Sequence, residues 1–536
     1  MNAIDLRLFG SRLQAICDEM GITLRRAAFS PNIKDRLDFS CAVFAPDGRL
    51  LAQAAHIPVH LGSMAFAMRD LVRMFAWDRN GSVILNDPFL GGTHLPDVTL
   101  ITPVFAHGYA AAAQPIAFVV NRAHHANIGA AEPGSMPVSR SLAEEGVLIA
   151  PQWLLCDGIL QHAARASLAA IAETSPAPGS APNALLQHPR LADLRAQISA
   201  SELGRVRVQA LFAIDSASPD ASAAFWADAL LALDAYAERV ARAAYAALPD
   251  GEAQHIDVLD DDGQGNVDLP IALRVRVAGS AIDVDFAGTV AQVAGNVNCP
   301  LSVTAAAVFY VFRCLLPADA PACAGTFAPI RIHAQHGALV HARTPAAVAA
   351  GNVETSMRIV DVLLGALAKL QPGGFPAASQ GTMNNVAMGA RTAAGRWDYY
   401  ETIAGGHGAG PAAAGLSARH AHMTNTLNTP IESLEAHYPL RIRRYARRQA
   451  SGGVGLHAGG EGVEKEFEFL APTRVSLLTE RRRHAPSGLA GGGAGACGEN
   501  LLNGQPLGGK VAFDAKVGDR LLIRTPGGGG FGARPR

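Results

Sequence analysis

The chain has 536 residues, with 45 lysines and arginines against 46 aspartates and glutamates. That length predicts two or three domains with cores of their own, and the even charge balance excludes the one-signed field of a nucleic-acid or anionic-membrane binder. Seven widely spaced cysteines without a CxxC pair exclude a disulfide framework and a zinc ribbon.

From the N-terminus, Phe9, Leu13, Ile16, Cys17, Met20 and Leu24 recur at helical spacing and predict an amphipathic helix over about residues 4–28. Asp5, Arg7 and Arg12 stand where a secretory signal would have its apolar core, and no later stretch offers about 18 uninterrupted apolar residues. The expected location is the cytoplasm, with no membrane contact. Cys41 to Ala45 and Arg49 to Ala54 flank Pro46-Asp47-Gly48, which predicts a β-hairpin with Asp38 just before its first strand. His56 to Met64 lead into a helix reaching about Phe75.

Residues 86 to 97, NDPFLGGTHLPD, form the most distinctive loop. Apolar segments Ser82 to Leu85 and Val98 to Ile101 flank it, so it joins two strands at a sheet end. His94 and Asp97 there offer an imidazole and a carboxylate, a pairing suited to zinc, manganese or iron. The bland alternative is an Asx turn at Asp87 with His94 and Asp97 as surface polar groups. A further strand over Pro115 to Asn121 ends in Arg122-Ala123-His124-His125. If these strands are sheet neighbours, His124 or His125 meets His94 and Asp97, and Asp38 completes the set.

Glu173 to Asn183 has linker composition. Packing helices follow over about Leu191–Ile214 and Ala221–Leu248, then strands from about Glu252 to Phe286, in which Asp260 to Asp262 reads as a solvated turn. Residues 299–316 and 353–370 read as helices. From about Thr382 the chain becomes glycine-rich and strand-like. The expected fold is therefore mixed α/β (α+β) and multi-domain, with mixed sheets and packing helices, divided as 1–172 (metal-site region), 184–381 (helices and strands) and 382–536 (glycine-rich, β-type).

No phosphate-binding GxxxxGK[ST] loop, GxSxG elbow or HExxH helix is present. A GxGxxG match at Gly493, Gly495 and Gly498 follows no strand and opens no helix, and is read as chance. The run Arg441, Arg443, Arg444, Arg447, Arg448 alternates as an exposed strand does, and reads as a solvated or partner-facing edge rather than a nucleic-acid site.

The segments SPNIKDRLDFSCAVFAPDGRL, HIPVHLGSM, NDPFLGGTHLPDVTLITPVF, NRAHHANIGA, GNVETSMRIVD, QGTMNN, TNTLNTPIESLE, SGGVGLHAGGEGV and TPGGGGFG occur in order from about residue 30 to the end. Together they resemble the hydantoinase B/oxoprolinase family, the N-methylhydantoinase B-type subunits, to which acetone and acetophenone carboxylase subunits are related. The resemblance implies a divalent metal on Asp38, His94, Asp97 and His124. It also implies a hetero-oligomer with an A-type subunit that carries ATP and magnesium and phosphorylates a cyclic amide for hydrolysis. Within that frame His125, His60, Glu145 and His56 are candidate proton donors or orienting groups. The α subunit of a carboxylase and a non-catalytic scaffold are the alternatives. The chain departs from the family pattern at Asn127 and Ala130, at Ala414-Gly415, and by an extension near Ala110 to Ala113.

Overall fold

A computed structural model describes residues 1–55, 57–106, 114–130, 132–174, 179–213, 219–392 and 395–534. His56, the Ala110 to Ala113 turn and residues 175–178 of the expected linker lie outside them. The chain groups into two compact units: Met1–Gly129, Val147–Ala247 and Phe312–Arg331 form the first, and Ala130–Gly146, Leu248–Val311 and Ile332–Arg536 the second. No helix among the described residues is long and apolar enough to cross a membrane.

The first unit opens with α1 (Ala3–Ala27), which buries the six apolar residues that its periodicity singles out. The Asn2 side chain caps its first turn, and Arg25 and Arg26 sit at its negative C-terminal end. After the short α2 (Pro31–Lys34) come β1 (Phe39–Phe44), β2 (Leu50–Ala55), α3 (His60–Met74), β3 (Gly81–Leu85), β4 (Asp97–Val104) and β5 (Ala117–His124). The unit continues with β6 (Gln152–Cys156), β7 (Ile159–Leu160), α4 (His162–Ala172), α5 (Ala192–Phe212) and α6 (Pro219–Tyr245).

The seven strands form one sheet in the order β2-β1-β5-β4-β3-β6-β7, and adjacent strands run antiparallel. Strands β1, β4 and β5 are buried at every residue. Successive side chains point to opposite faces, and helices cover both. Cys41, Val43, Val119 and Ala123 share a core with residues of α1, α5 and α6. Ala42, Phe44, Ile101, Phe118 and Val120 pack with Met64, Met68 and Leu71 of α3. Double coverage explains why these strands read as continuous apolar runs rather than as alternating ones.

In the second unit, strands Gly251–Asp261 and Val267–Ala278 pair antiparallel, and helix Ser356–Leu370 packs on them. Two antiparallel sheets follow, one of four strands and one of five. Their core includes Val386, Met388, Tyr399, Phe467, Val475, Leu477 and Ile523. The arginine-rich strand Leu440–Arg448 is the outer strand of the five. Its charges meet glutamates: Arg441 and Arg443 face Glu468, Arg444 faces Glu464, Arg447 faces Glu461 and Arg448 faces Glu499.

Asp260 and Asp262 correct the expectation of a solvated turn, since each is 1% exposed. Asp260 accepts from the backbone amides of Arg482, Arg483 and His484, and Asp262 from those of Gln264 and Asn266. These amides replace water around both carboxylates.

The glycine-rich segments pack backbone on backbone. Gly406 N–H donates to Pro526 O, Gly453 to Gly528 O, Gly528 to Gly460 O and Gly530 to Gly493 O, at 2.8–3.1 Å. A Cβ on Gly406 would lie 2.0 Å from Gly460 O, and one on Gly528 1.9 Å from His407 O. The GxGxxG match belongs to this packing.

Candidate metal centre

The loop before β4 is built by its own turn chemistry. Asp87 accepts from Phe89 N–H, and Gly91 then takes φ 85°. A Cβ at Gly91 would stand 2.4 Å from Ala67 of α3, so glycine is what lets the loop settle on that helix. Arg122, wholly buried in β5, fastens it: its guanidinium donates to Gly91 O, Ser63 Oγ and Thr99 Oγ1. Burial lowers the Arg122 pKa to about 10, with Asp97 acting in the opposite direction.

Asp97 opens β4 and pairs directly with His124, the last residue of β5. Paired residues of an antiparallel ladder share a face. His94 comes from the loop. His94, Asp97 and His124 are each no more than 2% exposed, and one ligand atom from each lies within 4.8 Å of the others. His94 Nε2 is 3.4 Å from Asp97 Oδ2, and the two imidazole centroids are 5.1 Å apart. The Asx turn of the bland reading is present, but His94 and Asp97 are not at the surface.

Asp38 stands beside this group without joining the three-residue cluster. His124 N–H donates to its carbonyl, and Arg36 approaches its carboxylate at 3.8 Å. His60, the first residue of α3, places Nε2 3.3 Å from Asp97 Oδ2. His125 has its Nε2 2.8 Å from Gln197 Oε1 of α5, and Gln197 also donates to Asn121 and to Val98 O. Glu145 belongs to the other unit, where its carboxylate accepts from Ser139 Oγ and the amides of Val348 and Ala349. Sequence reasoning missed Asn32, whose amide meets His124 Nδ1 at 3.2 Å, and also Ser40, Thr93 and Arg122. An arginine inside the apolar run Val119 to Ala123 was the one available signal.

Burial pushes the Asp97 carboxyl upward, but His94 and His60 outweigh it and hold the group well below the usual carboxylate range. Asp38 moves the other way: burial raises it against Arg36, with Asp97 adding to the rise. His124 is held well below the ordinary imidazole value by burial and then by His94. Two imidazoles, that of His124 held largely unprotonated, and one open carboxylate oxygen fit a divalent cation, because Asp97 Oδ1 is buried with no hydrogen-bond partner among the described residues.

Comparison with known proteins bears on the family and the fold. The hydantoinase B/oxoprolinase family model matches residues 2–534. The chain belongs to that family. It is 39% identical to 5-oxoprolinase 1 of Arabidopsis thaliana over 99% of its own length, but spans only 42% of that protein. The B-type subunit of a putative D-/L-hydantoinase from Pseudomonas sp. (strain NS671) is 29% identical, with 99% of this chain and 90% of that one covered. Two solved structures share the fold. The ATP-dependent caprolactamase of Pseudomonas jessenii superposes with TM-score 0.87 at 24% identity, covering 100% of this chain and 92% of that one. Nucleotide-free acetone carboxylase gives TM-score 0.84 at 18% identity, covering 99% and 76%. The mixed α and β, multi-domain architecture of this family member is thus that of both enzymes.

Proposed function

We propose that this chain is the metal-bearing part of an ATP-dependent hydrolase that opens a cyclic amide such as 5-oxoproline, a hydantoin or a related lactam. The observation that carries the reading is the convergence of Asp97 and His124, at the ends of adjacent strands, with His94 from the loop before β4, in a chain 39% identical to a 5-oxoprolinase. That relative is more than twice as long as the segment it shares, and this sequence contains no phosphate-binding GxxxxGK[ST] loop. Both facts favour an ATP-binding partner of the A-type that phosphorylates the amide carbonyl. The fold does not separate hydrolase from carboxylase, since it matches both; the sequence relatives favour the hydrolase.

In this reading His94, Asp97 and His124 hold zinc, manganese or iron, with Asp38 as a fourth donor. A cation bound there supplies Lewis acidity and water that ionises near neutral pH. The side chains exclude bulk water and fix the donors, and helix cover on both sheet faces keeps them from moving. His125, anchored through Gln197, is the proposed proton carrier for the departing ring nitrogen. The bonds that Glu145 makes suit an anchor within its own unit.

The test is reconstitution of the chain with its ATP-binding partner. ADP release coupled to ring opening of 5-oxoproline, hydantoin or caprolactam supports the reading. ATP-dependent carboxylation of acetone without amide turnover would overturn it.

A further inference from the structure

The two carboxylate oxygens of Asp97 have different surroundings. Oδ2 accepts from the Thr93 hydroxyl and lies 3.3 Å from His60 Nε2 and 3.4 Å from His94 Nε2, whereas Oδ1 has no hydrogen-bond partner among the described residues. His60 is itself held from behind, with Nδ1 3.0 Å from Ser40 Oγ. A neutral imidazole carries one N–H and one lone pair. Against a carboxylate oxygen the N–H must sit on Nε2, because a bare nitrogen there would set its lone pair against negative charge. Nδ1 is then the acceptor and the Ser40 hydroxyl its donor. In that neutral tautomer the hydrogen bonds run one way, from Ser40 through His60 to Asp97.

All three residues are no more than 1% exposed. Ser40 lies in β1, paired with Ala55 on one side and Arg122 on the other. These are the residue types of a hydrolytic triad, yet a wholly buried serine inside a sheet has no access to substrate, which excludes a nucleophilic role.

We infer that Ser40 and His60 are positioning residues: Ser40 holds the His60 ring, and His60, beside Thr93, holds Asp97 through Oδ2 and so fixes the orientation of its carboxylate next to His94 and His124. The inference rests on the metal reading of the site. A carboxylate with both oxygens free would rotate between one-oxygen and two-oxygen binding; a carboxylate pinned at Oδ2 offers one defined donor.

The experiment uses the full chain, stripped of metal and titrated with zinc in competition with a chelator, and separately loaded with cobalt(II) for its visible spectrum. Ser40→Ala and His60→Ala are expected to weaken zinc about 10- to 100-fold and to alter the cobalt bands. Ser40→Thr restores the hydroxyl, and His60→Gln places an amide N–H near the former Nε2–H; both are expected within a few-fold of wild type. Melting curves establish that each variant is folded, and Ser40→Ala, the loss of one oxygen, is the variant least able to disturb packing. Wild-type metal binding with unchanged affinity and spectrum in folded Ser40→Ala overturns the relay alone. Equal losses in the alanine and conservative variants also overturn it, because packing would then be the cause. A folded wild type that takes up neither zinc nor cobalt overturns the metal reading and the relay together.

Discussion

Asp97 and His124 are direct partners across the β4–β5 ladder. They are 27 residues apart in the chain, so this register, more than either residue, makes the site. A slip of one position would send one of the two side chains to the opposite face.

Loss of any one of His94, Asp97 or His124 is expected to abolish metal binding. Elemental analysis of wild type should give near-stoichiometric zinc, manganese or iron, and His94→Ala, Asp97→Ala and His124→Ala should each give close to none. Asp38→Asn, at a residue outside the 4.8 Å cluster, should keep metal at about 10-fold weaker affinity, as for a peripheral donor.

Glu354 predicts a pH dependence of stability in the second unit. Burial raises its pKa from 4.5 to about 7. Between those values the folded chain holds a proton that the unfolded chain has released, so stability falls as pH rises across that window and levels off above it. The full effect is about 3 kcal/mol. Glu354→Gln keeps an oxygen for the Met383 and Asn385 N–H donors and should raise the melting temperature more at pH 8 than at pH 5.

Arg481 joins Asp257 at 2.7 Å and Asp361 at 2.8 Å, and Asp361 is 6% exposed. Arg481→Ala leaves Asp361 buried with the His422 imidazole, 3.6 Å away, in place of the guanidinium. A loss of about 3–5 kcal/mol is expected in urea unfolding, and adding Asp361→Asn should recover part of it.

Two glycine-to-alanine changes should differ for a geometric reason. At Gly528 the new Cβ would meet His407 O at 1.9 Å, while at Gly504, with φ 80°, it would meet nothing within 4 Å. Gly528→Ala is expected to cost about 3 kcal/mol and Gly504→Ala about 1 kcal/mol from backbone conformation alone. Thermal melting of the two variants checks the contrast.

Much of this was legible in the sequence. Helix α1 announces itself because its buried residues recur within one element. His94, Asp97 and His124 could be nominated as candidate ligands because they fall at or just before strand ends. Strand β5 runs to His124 rather than stopping at Asn121, which assigns that histidine to the ladder and leaves His125 beyond it. Asn32, Ser40 and Arg122 were not nominated because their partners are set by strand pairing and helix docking across 20 to 92 residues. Asp260 misled for the same reason: the amides that enclose it lie more than 220 residues downstream.

The first unit is completed late in the chain. Phe312–Arg331 belong to it: Cys323 fills its helix-side core, Gly325 N–H donates to Asp234 and Thr326 O accepts from Tyr245. A ribosome that has released residues 1–247 has made the whole sheet and every proposed ligand, but not the segment that closes their core. Stretches of the second unit are synthesised in between, so the two units cannot mature strictly one after the other. For the same reason a fragment ending at Ala247 would expose the apolar surface that Cys323 covers, and cutting this protein at a single point should yield aggregates rather than a working half.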